Sequence, residues 1–144
     1  MRSLLDVNVL IALFDPDHVH HRIARAWWAE NAAEGWASCP LTENGVIRIM
    51  AGPAYATRLG LGPADMVDLL ATFAGGTDHE FWPDGLSLRI ESVFPRNRLL
   101  TSAQITDTYL LALAVNRGGR LVTFDRGITL QAVPHATPGN LVQL

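Results

Sequence analysis

Apolar residues in this chain come in short blocks, each closed by an acid, a glycine or a proline. Ser3-Leu4-Leu5 runs into Asp6, and Val9 to Phe14 continues apolar until Asp15-Pro16-Asp17. That order predicts a buried strand feeding a buried helix, with Asp6 at the junction. Asp17 is placed to cap a second helix, whose face carries His20, Ile23, Ala24, Trp27 and Asn31 until Glu34-Gly35 ends it. Trp36 to Cys39 reads as a strand. Pro40 suits the first turn of a helix that runs to about Ala51, before Gly52-Pro53. Pro63 opens the clearest amphipathic helix, with Met66, Leu69, Leu70 and Phe73 on one face and Gly75-Gly76 at its end.

The second half repeats the alternation. His79 to Trp82 reads as a strand, and Asp84 to Phe94 as a helix. Thr101-Ser102-Ala103-Gln104 has the form of a capping box and opens a long apolar helix that ends at Gly118-Gly119. Leu121 to Phe124 is a buried strand with Asp125 at its carboxyl end, and a last strand lies near Leu141-Val142. Strands alternating with helices imply a parallel sheet covered on both faces. Ligands of such sheets bind at the carboxyl ends of the strands, which directs attention to Asp6 and Asp125.

Length and composition narrow the class. A chain of 144 residues with 49% hydrophobic and 17% charged residues is expected to be one globular domain, residues 1–144, without repeats or linkers. The single Cys39 cannot form an internal disulfide, which sets a cytoplasmic location as the expectation. No apolar stretch has the length of a membrane span, and the segment before Asp15 lacks the layout of a signal peptide. All 11 basic residues are arginines, which excludes a P-loop hydrolase and weighs against a receiver domain, since both rely on a lysine. The net charge of −3 argues weakly against nucleic acid, but setting four acids aside on a metal leaves 11 basic residues against 10 acidic.

Four acids are the candidates. Asp6 and Asp125 follow apolar strands, Glu43 shares a helical face with Ile47 and Met50, and Asp107 lies one turn before the run Leu110 to Val115. A carboxylate on an apolar face is costly to bury without compensation. Any one of them alone could be a cap, a turn residue or an ion-pair partner; four in such positions point to a shared divalent cation. Oxygen donors suit Mg²⁺ or Mn²⁺. His18, His20 and His21 do not converge at helical spacing, and a zinc site is not expected there. Trp27, Trp28, Trp36 and Trp82 read as core or dimer surface rather than as base-stacking platforms.

The segments Leu4 to Leu10, Leu41 to Asn44, Ile105 to Ala112 and Leu121 to Arg126 resemble the four signature segments of the PIN domain, in order and separation. The length resembles the VapC toxins of bacterial VapBC toxin–antitoxin pairs. The resemblance implies a single-domain α/β/α sandwich around a mostly parallel sheet and endonucleolytic cleavage of RNA. It implies that Asp6, Glu43, Asp107 and Asp125 hold Mg²⁺ or Mn²⁺, and that Asn8 and Thr123 orient those acids and the attacking water. It also implies a homodimer and a VapB-like antitoxin partner. Arg96, Arg98 and Arg126 are candidates for contact with RNA phosphates. The alternatives are a PIN nuclease of RNA processing without an antitoxin, and a non-catalytic acidic binding module.

Overall fold

A computed structural model describes all residues, 1–144. Five short strands, β1 (Ser3–Leu5), β2 (Trp36–Ser38), β3 (His79–Phe81), β4 (Arg120–Thr123) and β5 (Leu141–Gln143), form one sheet in the order β3-β2-β1-β4-β5. Every neighbouring pair is parallel. Six helices connect them: α1 (Val7–Phe14), α2 (His21–Asn31), α3 (Pro40–Met50), α4 (Pro53–Leu59), α5 (Pro63–Gly75) and α6 (Ile105–Asn116).

Side chains alternate across the pleat, and this divides the core in two. Leu5, Trp36 and Val122 face α1, α2, α3 and α5, where they meet Leu10, Trp28, Met50 and Met66. Leu4, Ala37 and Leu121 face α6, with Leu111, Trp82 and Phe94. The central strands therefore read as unbroken apolar runs, because both of their faces are covered. Helix α6 is buried continuously from Thr108 to Ala114, wrapped between the sheet and the loops on either side of it in sequence. Gly118, in the left-handed region at φ +66°, ends it and turns the chain into β4. Gly45 lets α1 and α3 approach closely, since a Cβ there would meet Val7 Cγ2 at 2.5 Å.

Three expectations are corrected. Asp17 does not cap α2: its carboxylate accepts from Arg58, and its N–H donates to Asp15 Oδ1 at 3.0 Å. Helix α2 starts only at His21, and its buried positions are Ala24 and Trp28. Ile23 is 49% exposed, and Trp27 lies half-buried under the Arg120 guanidinium. Asp84 to Phe94 forms turns rather than a helix, because Trp82 and Phe94 are drawn into the core while Leu88 and Ile90 stay outside. The helix α4 had no periodic signal in its seven residues. Trp28, Trp36 and Trp82 are buried and cannot stack on bases. No helix is long and apolar enough to cross a membrane.

Candidate metal centre

The chain leaves β1 toward β2 on one side, and later crosses back to lay β4 on the other side of β1. The switch point of the sheet thus lies between the carboxyl ends of β1 and β4, where the crevice of an open parallel sheet forms. Asp6 ends β1 and Asp125 stands two residues beyond β4.

Asp6 is 8% exposed and caps α1. Its Oδ1 accepts the Val7 N–H at 2.7 Å, and its Oδ2 accepts the Thr123 hydroxyl at 2.7 Å. Thr123 Oγ1 in turn accepts from Asn8 Nδ2 at 3.2 Å and from the Asp125 N–H at 2.9 Å. Both of those partners are N–H donors, so the hydroxyl proton can go only to Asp6. Asn8 Oδ1 takes the Phe124 N–H at 3.2 Å, which fastens the first turn of α1 to the end of β4. Asp125 Oδ1 accepts the Gly127 N–H at 2.6 Å and shapes the following turn.

Asp107 arrives from the opposite face of the sheet, in the first turn of α6, where a negative charge is favoured by the helix dipole. That benefit is outweighed. Burial, followed by the charges of Asp6 and Asp125 and direct contact with the Asp125 carboxyl, pushes its pKa up to about 6. Burial also raises Asp6, against the pull of Thr123 and Val7, and the Asp125 charge adds to the rise. None of the ion pairs in the protein involves Asp6, Asp107 or Asp125. Three carboxylates are therefore gathered without an internal cation.

Glu43 stands apart. It is half-buried in the first turn of α3, and its Oε1 accepts the Ser38 hydroxyl at 2.6 Å. Ser38 Oγ lies 2.8 Å from His79 Nε2; with its proton on Glu43, it must accept from that nitrogen. Burial lowers the His79 pKa and so favours the neutral ring, in which Nε2 is the nitrogen that donates to Ser38. The Glu43 side chain borders the groove between α3 and α5 beside Ile47, Val67 and Leu70. As the side chains stand, no three acids, histidines or cysteines converge on one ion-sized point. Ser38 and His79 carried no signal in the sequence, because only the pairing of β2 with β3 brings them together.

The arginines are largely engaged. Arg96 pairs with Glu91, Arg98 donates to the Gln131 carbonyl at 3.1 Å, and Arg126 donates to the Leu144 carbonyl at 2.9 Å. Arg98 lines a cleft of about 150 Å³ with Gln104, Thr129, Gln131, Leu100 and Ala132. Gln104 lies one turn before Asp107, and Arg126 follows Asp125 directly. The histidines are occupied elsewhere: His20 stacks on Phe124, and His21 Nδ1 lies 2.7 Å from the Ala12 carbonyl.

The chain has relatives of known name. A family model described as PIN domain matches residues 3–134. The chain belongs to the PIN domain family. Over its full 144 residues this PIN domain is 49% identical to Ribonuclease VapC44 of Mycobacterium tuberculosis, covering 100% of both chains. It is 41% identical to Ribonuclease VapC39 of the same organism over 128 residues, 89% of this chain and 91% of that one. With Ribonuclease VapC38, also from that organism, it shares 40% over 144 residues, 99% of each.

PIN-domain ribonucleases generally depend on a divalent metal, and the donor chemistry here fits one. Asp6, Asp107 and Asp125 offer only hard oxygens, Asp6 is held in one orientation by two hydrogen bonds, and their mutual repulsion is unrelieved by any basic side chain.

Proposed function

We propose that this PIN domain is a divalent-metal-dependent endoribonuclease of the VapC type, acting as the toxin of a toxin–antitoxin pair. The observation that carries it is the gathering of Asp6, Asp107 and Asp125 at the β1/β4 switch point with no cation of the protein's own. The names of its relatives, all ribonucleases, favour RNA as the substrate. Asp6, Asp107 and Asp125 hold the metal, with Glu43 as the fourth acid. Oxygen-only donors select Mg²⁺ or Mn²⁺. When bound, the ion lowers the pKa of a water and relieves charge on the phosphoryl group undergoing displacement.

The rest is done by the chain. The Thr123 hydroxyl and the Val7 N–H fix Asp6, so its free lone pairs keep one direction. Asn8 keeps the Thr123 hydroxyl proton on Asp6 by occupying the acceptor side of that oxygen. Asp107, with its carboxyl raised to about 6, is largely ionised at neutral pH and would face the ion as a carboxylate. Arg98 and Arg126, each resting on a backbone carbonyl, turn to receive phosphates when RNA binds. Leu41 and Ile49 on α3 and Val67 on α5 are exposed apolar side chains available to a homodimer, and a VapB-like antitoxin is the regulatory partner.

The test is cleavage of RNA by the purified chain with Mg²⁺ or Mn²⁺, followed by sequencing of 5′ ends made on induced expression. Discrete 5′-phosphate ends that vanish with EDTA are expected. Cleavage that persists in EDTA, or none with either metal, rejects this function.

A further inference from the structure

Ser38 is fully buried, and its hydroxyl is satisfied on both sides by side chains of other elements. It donates to Glu43 Oε1 on α3 at 2.6 Å, and its oxygen lies 2.8 Å from His79 Nε2 on β3. A hydroxyl has one proton, so with that proton on Glu43 the imidazole nitrogen takes the donor role. The Nε2–H then occupies the acceptor side of the hydroxyl and keeps its proton from turning back. The His79 ring is itself held in place. Trp36 and His79 are direct partners in the β2–β3 ladder, so Trp36, Ser38 and His79 lie on one face of the sheet. The Trp36 ring packs on the imidazole with centroids 4.3 Å apart, and Trp36 Nε1 donates to Thr77 Oγ1 at 2.8 Å. Thr77 donates in turn to the Phe73 carbonyl of α5 at 2.7 Å. Contacts thus run without a break from α5, through both strands, to Glu43.

The same construction serves Asp6. There the Thr123 hydroxyl donates to the carboxyl group and accepts from Asn8, which fixes the direction of its proton. Ser38 and Thr123 each end a strand, β2 and β4, and each gives its proton to an acid at the N-terminal end of a helix, α3 and α1. In both cases an N–H from a distant element fills the other side of the hydroxyl oxygen. We propose that Ser38 and His79 are positioning residues for Glu43: the His79 Nε2–H directs the Ser38 hydroxyl onto Oε1 and leaves Oε2 for the ion. The proposal rests on the metal-centre reading above, in which Glu43 is the fourth acid. A glutamate side chain has several rotatable bonds, and anchoring one of its oxygens removes much of that freedom before an ion arrives. Outer contacts of this kind orient a ligand and raise the affinity for the metal it holds.

Two measurements on the full chain test it. Nitrogen-15 NMR of the metal-free protein is expected to show a proton on His79 Nε2; a bare Nε2 overturns the relay. Titration calorimetry with Mn²⁺ alone, without RNA, is expected to show about tenfold weaker binding in Ser38→Ala and His79→Phe. His79→Gln, which offers an amide N–H in place of the ring nitrogen, is expected to restore wild-type affinity. In a Glu43→Gln background neither Ser38→Ala nor His79→Phe should weaken Mn²⁺ binding further, because all three changes act through one side chain. Additive losses in those double variants, or a lowered Tm with unchanged Mn²⁺ affinity in His79→Phe, show a purely structural role and overturn the proposal. If Ser38→Ala does not fold, His79→Phe decides, because His79 is half-buried on an edge strand and a phenyl ring can keep the contact with Trp36. The readings fail separately. A wild-type chain that binds Mn²⁺ but cleaves no RNA ends the ribonuclease reading, while the affinities of the variants still judge the relay. A wild-type chain that binds no Mn²⁺ ends the metal centre and the positioning role together.

Discussion

Helix α1 carries a buried aspartate at each end, and the two are treated in opposite ways. Asp15, at the C-terminal end, is 2% exposed and sits where the helix dipole disfavours a negative charge. Arg58 reaches over from α4 and grips it with both guanidinium nitrogens, at 2.9 and 2.6 Å. That hydrogen-bonded pair holds the Asp15 carboxyl below its ordinary value despite burial. Asp6, at the N-terminal end, has the favourable dipole but no cation, and its carboxyl is raised. One acid is completed within the fold. The other is left with Asp107 and Asp125 beside it, and in the function proposed above its compensation comes from a bound ion. A structural carboxylate and a functional one are told apart here by their partners, not by their burial.

Removing a member of the uncompensated group tests this most severely. Asp107→Asn is expected to lower RNA cleavage by about a thousandfold, the loss of several kcal/mol of transition-state stabilisation. The same variant should melt at a higher temperature than wild type in EDTA at pH 7.5, because a repulsive charge is gone. A lower melting temperature would show that Asp107 stabilises the fold instead. Next in size, Mn²⁺ at about 100 times its dissociation constant should add roughly 2.7 kcal/mol at pH 7.5, or about 5–10 °C in a thermal melt. No such shift is expected in Asp107→Asn.

Breaking the compensated end should do the reverse. Arg58→Ala leaves Asp15 buried and unpaired, and is expected to lower Tm by on the order of 5 °C. Part of the full cost of a broken buried pair is escaped, because Arg58 is 41% exposed and water can enter. Mn²⁺ affinity should be untouched; a weakened metal site would mean that the two ends of α1 are coupled.

The smallest effect is the pH dependence, and its sign differs between the ends. Asp107, raised to about 6, contributes stability below the ordinary carboxylate range and loses it as pH rises through about 6. Asp15, lowered, contributes above the ordinary range and loses that only as pH falls beneath it. In EDTA, wild type should therefore lose stability between about pH 4 and 6 relative to Asp107→Asn, as read from paired thermal melts. Parallel curves would reject the raised carboxyl.

Much of this was legible before folding. The strand–helix alternation, Pro40 and Pro63 at helix starts, the Thr101–Gln104 box and the glycine after α6 are local signals. They placed most elements to within a residue or two. Asp6 and Asp125 stood out because an acid ends an apolar strand. What misled were segments whose fate depends on distant contacts. Asp17 had the look of a cap until Arg58, 41 residues away, took its carboxylate. The stretch from Asp84 to Phe94 could pass for a helix until α6 claimed Trp82 and Phe94.

Periodicities, caps and the placing of single acids at the ends of strands and helices follow from the order of residues alone, since each depends on neighbours within a turn or two. Which acids meet is settled by the packing of distant elements. The crossover that lays β4 beside β1 joins Asp6 to Asp125, and α6 brings Asp107 to them across the opposite face. The pairing of β2 with β3 gives Glu43 its separate partners in Ser38 and His79. Charge repulsion and hydrogen bonding act over a few ångströms in space, and no spacing along the chain encodes those distances until the sheet has set its strand order.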